Sequence, residues 1–369
     1  MKIVHIFWGL TYGGIETMLV NIANQQVKQG AAVDVVIIND YAEPDLLRRF
    51  QPEVGVWRIN RHVHTHGLGF IRRINKVLTE VNPDVIHLHG CEIRNFISGK
   101  VARKAKIVAT LHAIPTGDVG MRWRWGNILQ KMATRSTGNV WAINRMDQVY
   151  SISKTVSDLL KEQYGISSLV VHNGINTSAF VQRECRLPIS AFRIVQVSRL
   201  NHEVKGQDLL LEAVSRLKEK YHAEVQLTFI GDGPSETYLK EMVNRMGLRD
   251  QVTFLGAKKQ DEIAACLCDY DLFVQPSRNE GFGLTVAEAM ASNVPVLVSE
   301  GQGPAEVTCA DTYGWTFRNG SSEDLARQLL YIMKHYDEAL SKTPKARQHV
   351  IANYDVAATA KKYLEAYKK

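Results

Sequence analysis

The sequence predicts an α/β protein of two doubly wound domains, each a parallel sheet wrapped by helices, the pair facing a central cleft. Three observations predict it. Short Val- and Ile-rich runs alternate with longer amphipathic ones along all 369 residues, and runs apolar on both faces mark the strands of buried parallel sheets. The alternation forms two series, separated by a polar stretch without period at residues 174–190. Glycines and charged residues gather just after the candidate strands, where doubly wound sheets bind ligands.

The first domain is read as residues 1–173. Its strands are expected at 3–7, 33–38, 54–59, 85–89, 107–111, 148–151 and 169–172, with helices at 15–29, 68–80 and 154–164. Segment 174–190 is the linker. The second domain, 191–354, carries expected strands at 193–197, 225–230, 252–255, 272–275 and 294–298, and helices at 207–220, 236–246, 284–291 and 322–335. Strands separated by helices rather than tight turns imply crossover connections and parallel pairing. From Pro344 onward the chain is basic and amphipathic, and a last helix at about 355–369 is expected to pack back on the first domain.

Composition narrows the class. The chain is 45% hydrophobic and 22% charged, ordinary for a globular protein with two cores. No run of about 18 apolar residues occurs, so no membrane span is expected. The start, Met1 to Trp8, is too short for a secretory signal and runs into glycines as a first strand would. Five scattered cysteines (Cys91, Cys185, Cys266, Cys268, Cys309) without a Cys-x-x-Cys fit a reduced, cytoplasmic compartment. The net charge of +7 is uneven: sixteen Lys/Arg face five Asp/Glu between Arg48 and Arg135. That excess suggests an anionic partner: nucleic acid, lipid headgroups or a phosphorylated substrate.

The most informative segment is Glu280-Gly-Phe-Gly-Leu-Thr-Val-Ala-Glu288. Gly281 and Gly283 open a loop after a strand, and a helix follows from Leu284. Its first amides suit a phosphate or sugar oxygens, and glycines allow close approach. Glu288, in the second turn, can accept from a vicinal diol. Arg199 follows the first strand of the second domain and Lys205 is expected to open the next helix. Two cations there can clamp a diphosphate without a metal. Gly231-Asp-Gly-Pro234 by itself is a turn. In the first domain, Gly9 to Glu16 is Gly-rich but lacks the Gly-x-Gly-x-x-Gly spacing of a dinucleotide fingerprint.

The histidines divide into three sets. His62, His64 and His66 alternate in a loop without an acidic or cysteine neighbour in sequence, and no metal site is expected there. His87 and His89 are read as walls of the strand end. His112 follows strand 107–111 and stays open between a polar role at a bound sugar and a structural one. Met121-Arg-Trp-Arg-Trp125, with Lys131 and Arg135, is open between a membrane-interface helix and one with buried tryptophans.

Taken in chain order, these pieces resemble the family-4 retaining glycosyltransferases of the GT-B fold, glycosyl transferases group 1. The resemblance spans the chain and is strongest from Ile194 to Pro304. It rests on Gly13-Gly14, on Arg199 and Lys205, on Gly231 to Pro234 and on Glu280 to Glu288. It implies transfer of a hexose or N-acetylhexosamine from a nucleotide-diphosphate sugar, UDP in preference to GDP. The implied acceptor is a saccharide, lipid-linked, in surface polysaccharide synthesis. By the same resemblance His112, Arg199, Lys205 and Glu280 form the catalytic set. Arg199 and Lys205 would bind the diphosphate, Glu280 the donor sugar and Glu288 the ribose. The backbone of Phe282, Gly283 and Leu284 would touch sugar and phosphate. Gly13 and Gly14 would approach from the opposite domain, and the base would lie near Gly231, Leu255 and Lys258. No cofactor or metal is implied, and no carboxylate nucleophile stands out. A front-face displacement is implied instead, the leaving phosphate taking the acceptor's proton.

The basic stretch would then rest on an anionic membrane, making the protein peripheral on the inner face. Two other readings compete. A nucleotide-sugar epimerase of the same fold would convert the donor with no acceptor present. A nucleic-acid-binding protein would use the basic domain, yet no recognisable reading module is present.

Overall fold

Alternation within apolar runs decides the first sheet. In the computed structural model, which describes residues 1–11, 13–62, 67–112, 141–184, 187–188 and 191–369, the chain divides into two compact units. Unit 1 is Met1–Gly174 with Val356–Lys369, and unit 2 is Ile175–Asp355. Unit 1 holds strands β1 (Lys2–Phe7), β2 (Ala32–Asn39), β3 (Gly55–Arg61), β4 (Val85–Leu88), β5 (Lys106–Leu111), β6 (Gln148–Ser151) and β7 (Leu169–Val170). They pair in the order β3-β2-β1-β4-β5-β6-β7, all parallel. Val33, Val35 and Ile37 of β2 join a core with Leu19, Val20 and Ala23. Val36 and Ile38, one step out of phase, join Val4, Ile6, Ile74 and Leu78 on the other face. A continuous apolar run thus serves two cores by period two.

The helices begin and end for local reasons. Ser153 Oγ accepts from the Val156 amide at 3.1 Å, and Gly165 closes helix Lys154–Tyr164 in the left-handed region at φ 66°. The last helix, Val356–Tyr367, belongs to unit 1. Its Tyr363 and Val356 share a core with Met18 and Ile22 of helix Gly14–Lys28. Gln29 Nε2 donates to the Ala357 carbonyl at 2.9 Å, and Thr359 Oγ1 to the His172 carbonyl at 3.1 Å. β7 stops at Val170 rather than at 172 because its partner β6 ends at Ser151, opposite Val170.

Unit 2 holds β8 (Phe192–Val197), β9 (Val225–Ile230), β10 (Val252–Phe254), β11 (Leu272–Gln275), β12 (Val296–Ser299) and β13 (Trp315–Phe317). Their order is β10-β9-β8-β11-β12-β13, again parallel. Ile194, Leu227, Phe229 and Val274 from the sheet meet Leu210, Val214, Leu217 and Leu325 from the helices. β13 escaped the sequence reading because three residues carry no readable period. Helix Tyr336–Tyr354 starts well before Pro344 and contains it. Proline removes an amide, and Thr343 Oγ1 donates to the Leu340 carbonyl at 3.0 Å, supplying a partner to the acceptor left over.

Part of the linker is fastened to unit 2. Arg183 Nη2 donates to Asp271 Oδ1 at 2.5 Å with both side chains buried. The Arg183 amide also bonds the Ser292 carbonyl at 2.8 Å. Breaking such a buried pair on one side would leave an unpaired charge. No helix among the described residues is long and apolar enough to cross a membrane.

Candidate functional site

In unit 2 the candidate residues ride on the loops that leave β8 and β11. After β8 the chain forms one helical turn, His202–Lys205, closed by Gly206 at φ 68°. Lys205 therefore ends this turn and does not open the next helix, Gln207–Tyr221, as the sequence suggested. A Cβ on Gly206 would stand 2.0 Å from the Pro276 carbonyl, so glycine lets this turn press against the loop after β11. Gln196 Nε2 donates to the Lys205 carbonyl at 2.9 Å, fixing the backbone beneath the side chain. The Lys205 ammonium contacts Glu280 Oε2, with 23% and 18% of the two side chains exposed. Arg199 is exposed and has no ion pair among the described residues.

The loop carrying Glu280 is braced from three sides. Arg278 makes a bidentate pair with Asp208, both bonds 2.8 Å, and donates to the His202 carbonyl at 2.7 Å. The Glu280 amide donates to Gln302 Oε1 at 3.0 Å, and its carbonyl accepts from the Gly303 amide at 2.9 Å. Gln275 Nε2 reaches Glu280 Oε2 at 3.4 Å. Gly283, at φ 93°, caps helix Leu284–Ala291, whose opening amides lack partners within the helix. Phe282 is buried against the Tyr354 ring at 5.4 Å, so only its backbone is offered to a ligand.

Glu288 lies on the buried side of that helix. Gln260 Nε2 donates to its Oε1 at 2.7 Å. Burial pushes its carboxyl up to about 7, a pull only partly offset by Gln260. Gly231 is more than a turn residue. At φ 132° it sits where a Cβ would lie 2.1 Å from the Ser198 carbonyl. Its amide bonds the Gly256 carbonyl at 2.8 Å, tying the β8, β9 and β10 loops together. Leu255 is 42% exposed beside that junction, and Lys258 Nζ donates to Glu262 Oε1 at 3.1 Å.

Unit 1 holds the remaining candidates. Gly13 caps helix Gly14–Lys28 in extended backbone. A Cβ there would meet the Glu16 carboxylate at 2.3 Å, and Gly14 is exposed at the helix start. His112 follows β5 with Nε2 3.1 Å from His89 Nδ1. Its Nδ1 is buried and has no hydrogen-bond partner among the described residues. Burial lowers its pKa to about 4, so the ring is neutral at pH 7.

The sequence reading missed some contacts here. His62 does have an acidic partner: it contacts Asp40, brought over by the pairing of β2 with β3. His64, His66, Met121 to Trp125, Lys131 and Arg135 lie outside the described residues. His87 and His89 are buried, and with His5 each offers one ring nitrogen within 4.8 Å of the others'. That spacing suits a metal, but all six nitrogens have hydrogen-bond partners. His5 bonds His89 and Gln26; His87 bonds Tyr367 and Thr110; His89 also bonds His112. Gln275, Gln302 and Gln260 were not foreseen because an isolated glutamine carries no pattern.

Comparison with known proteins adds three findings. The profile described as "Glycosyl transferases group 1" matches residues 185–349, and that described as "Glycosyltransferase Family 4" matches residues 12–179. An uncharacterized glycosyltransferase of Methanocaldococcus jannaschii is 25% identical over 348 residues, 86% of this chain and 85% of its own. N-acetyl-alpha-D-glucosaminyl L-malate synthase of Bacillus anthracis is 24% identical over 318 residues, 82% of this chain and 79% of its own. Among solved structures, Anabaena HepE in complex with UDP and glucose superposes with a TM-score of 0.79 at 21% identity, covering 100% of both chains.

Proposed function

The chain belongs to the family-4, group 1 glycosyltransferases of GT-B fold, and from that premise we propose that it transfers a hexose or N-acetylhexosamine from a UDP-sugar to a saccharide acceptor with retention. The observation that carries the reading is the Lys205–Glu280 contact set between two braced loops, beside the helix start at Gly283. When a donor binds, Lys205 and Arg199 take the diphosphate and Glu280 accepts from sugar hydroxyls. The Leu284 helix start and the Phe282–Gly283 backbone border sugar and phosphate. Glu288 accepts from the ribose diol, and Leu255, Lys258 and Gly231 border the base. In unit 1, taken by itself, Gly13 and Gly14 offer backbone at the start of helix Gly14–Lys28, and His112 Nδ1 is an acceptor suited to a sugar hydroxyl. The bond from the anomeric carbon to the phosphate oxygen breaks as the acceptor oxygen bonds that carbon, and the departing phosphate takes the acceptor's proton. Arg199 and Lys205 offset the charge that grows on the leaving group. With two cations in that role, no metal is assigned, and turnover is expected to survive chelation.

UDP is preferred to GDP here because HepE, of the same fold, binds UDP. The test is a thermal-shift comparison. UDP at about a hundred times its Kd should add about 2.7 kcal/mol, which is a rise of several degrees. GDP at the same concentration should add little, and a larger shift with GDP would overturn the nucleotide assignment. The acceptor is proposed to be lipid-linked, in surface polysaccharide synthesis at the inner face of a membrane, because positive charge crowds between Arg48 and Arg135. Binding to anionic vesicles should fall steeply between low and physiological salt. Absent or salt-insensitive binding would remove the membrane from the account.

A further inference from the structure

The buried histidines of unit 1 form a directed chain of hydrogen bonds that ends at His112. Gln26 Oε1 lies 2.7 Å from His5 Nε2. An amide oxygen only accepts, so His5 carries its proton on Nε2 and its Nδ1 is bare. His5 Nδ1 lies 3.0 Å from His89 Nε2, which must therefore be the N–H. His89 Nδ1 is then bare and faces His112 Nε2 at 3.1 Å, which must donate. The proton count leaves His112 Nδ1 bare, and this is the nitrogen without a partner among the described residues. Burial keeps all four neighbouring rings neutral at pH 7: His5 and His112 are lowered to about 4, His87 and His89 well below their ordinary value.

The orientation of Gln26 agrees with a second branch. Tyr367 OH is 2.6 Å from His87 Nδ1, and His87 Nε2 is 2.7 Å from Thr110 Oγ1. If the phenol donates to His87, its oxygen accepts from Gln26 Nε2, 3.5 Å away. That turns the Gln26 oxygen toward His5. The last helix thus reaches the strand end through one phenol.

We infer that Gln26, held by Tyr367, is a positioning residue that fixes His112 in the Nε2–H tautomer through His5 and His89, so that His112 presents a neutral acceptor suited to a substrate hydroxyl and unsuited to a carboxylate. The hydroxyl part rests on the assignment of His112 to the donor sugar made above; the tautomer part does not.

Histidine ¹⁵N NMR at pH 7 on the full chain, with the His112 signal assigned by its loss in His112→Gln, reads the tautomer directly. The expected result is a protonated Nε2 and a bare Nδ1 on His112. Gln26→Leu removes the terminal acceptor and should mix the tautomers, lowering kcat/KM about tenfold, the effect of one lost hydrogen bond. Its nucleotide Kd should change less than twofold, since the nucleotide is assigned to unit 2. If Gln26→Leu does not fold, Tyr367→Phe keeps the ring packing and should mix the tautomers in part. A wild-type His112 protonated on Nδ1, or a tautomer unmoved in both Gln26→Leu and Tyr367→Phe, overturns the relay. Tautomers that move while turnover stays constant overturn the hydroxyl assignment and leave the relay standing.

Discussion

Replacing Lys205 with alanine is expected to lower kcat by about 10²–10³-fold, while the Kd for UDP rises only about tenfold. The difference between the two numbers is the content of the prediction. A bound diphosphate already carries charge, so losing one ammonium weakens binding by roughly one charge-assisted bond. The charge grows further as the sugar leaves, and only an interaction that strengthens in the transition state appears in kcat. In the proposed donor complex Lys205 would be held for this by the Gly206 turn and by Gln196 beneath its carbonyl. Glu280 shares that environment, since the two side chains touch with 23% and 18% exposed. Removing Lys205 therefore also leaves a part-buried carboxylate without its cation. Glu280→Ala should lower turnover and leave UDP affinity within about twofold. The double variant should lose less than the product of the single losses, because each residue holds the other in place. Arg199→Ala, on an exposed side chain, should affect binding and turnover more evenly. Steady-state rates with isothermal titration of UDP decide the matter, and a Lys205→Ala enzyme within about threefold of the wild-type rate would remove Lys205 from the catalytic set.

What could be read beforehand follows from which interactions leave a periodic trace. The parallel sheets were legible because β1, β2, β8 and β9 are apolar runs with helices between them. Helix Lys154–Tyr164 carries a signal at both ends, a Ser cap and a closing glycine, and helix Leu284–Ala291 at its start, where a glycine opens it. β13 was not, being three residues long. Pro344 looked like a helix start, whereas the Thr343 hydroxyl supplies the carbonyl partner that the proline lacks. In the site, charged residues at strand ends could be named from sequence, but not their partners. Lys205 and Glu280 are 75 residues apart, and only the crossover from β8 to β11 joins them. The histidine chain was hidden for the same reason. His5, Gln26, His89 and Tyr367 come from a strand, a helix, the loop after another strand and the far terminus, and no local spacing connects them.

Glu288→Gln should make the protein more stable at pH 8 and a worse enzyme. The folded state holds the Glu288 carboxyl at about 7 against an ordinary value of 4.5. Below pH 4.5 the group is neutral in both folded and unfolded chains, and its contribution to stability is fully present. As pH rises the unfolded chain ionises first while the fold retains the proton, so stability is lost progressively until about pH 7 and no further above it. The whole interval corresponds to about 3 kcal/mol. Glutamine has nearly the same shape, can still accept from Gln260, and never ionises, so it escapes this loss. The variant should therefore melt several degrees above the wild type at pH 8, and the gap should close as pH falls toward 5. Taking the difference between two chains cancels the titration of every other group. The ionised carboxylate is also what accepts from a ribose diol in the proposed donor complex, so the variant should bind UDP about tenfold more weakly at pH 8. Wild-type affinity should itself decline more steeply than the variant's as pH drops through 7, since the terminal phosphate of UDP titrates alike against both. Calorimetric melting and UDP titration at pH 5, 6, 7 and 8 measure both curves. A variant that melts below the wild type at pH 8, with no pH-dependent gap, would mean that Glu288 is folded in its ionised state. A burial that weakens the fold would then no longer be the trace of a binding role.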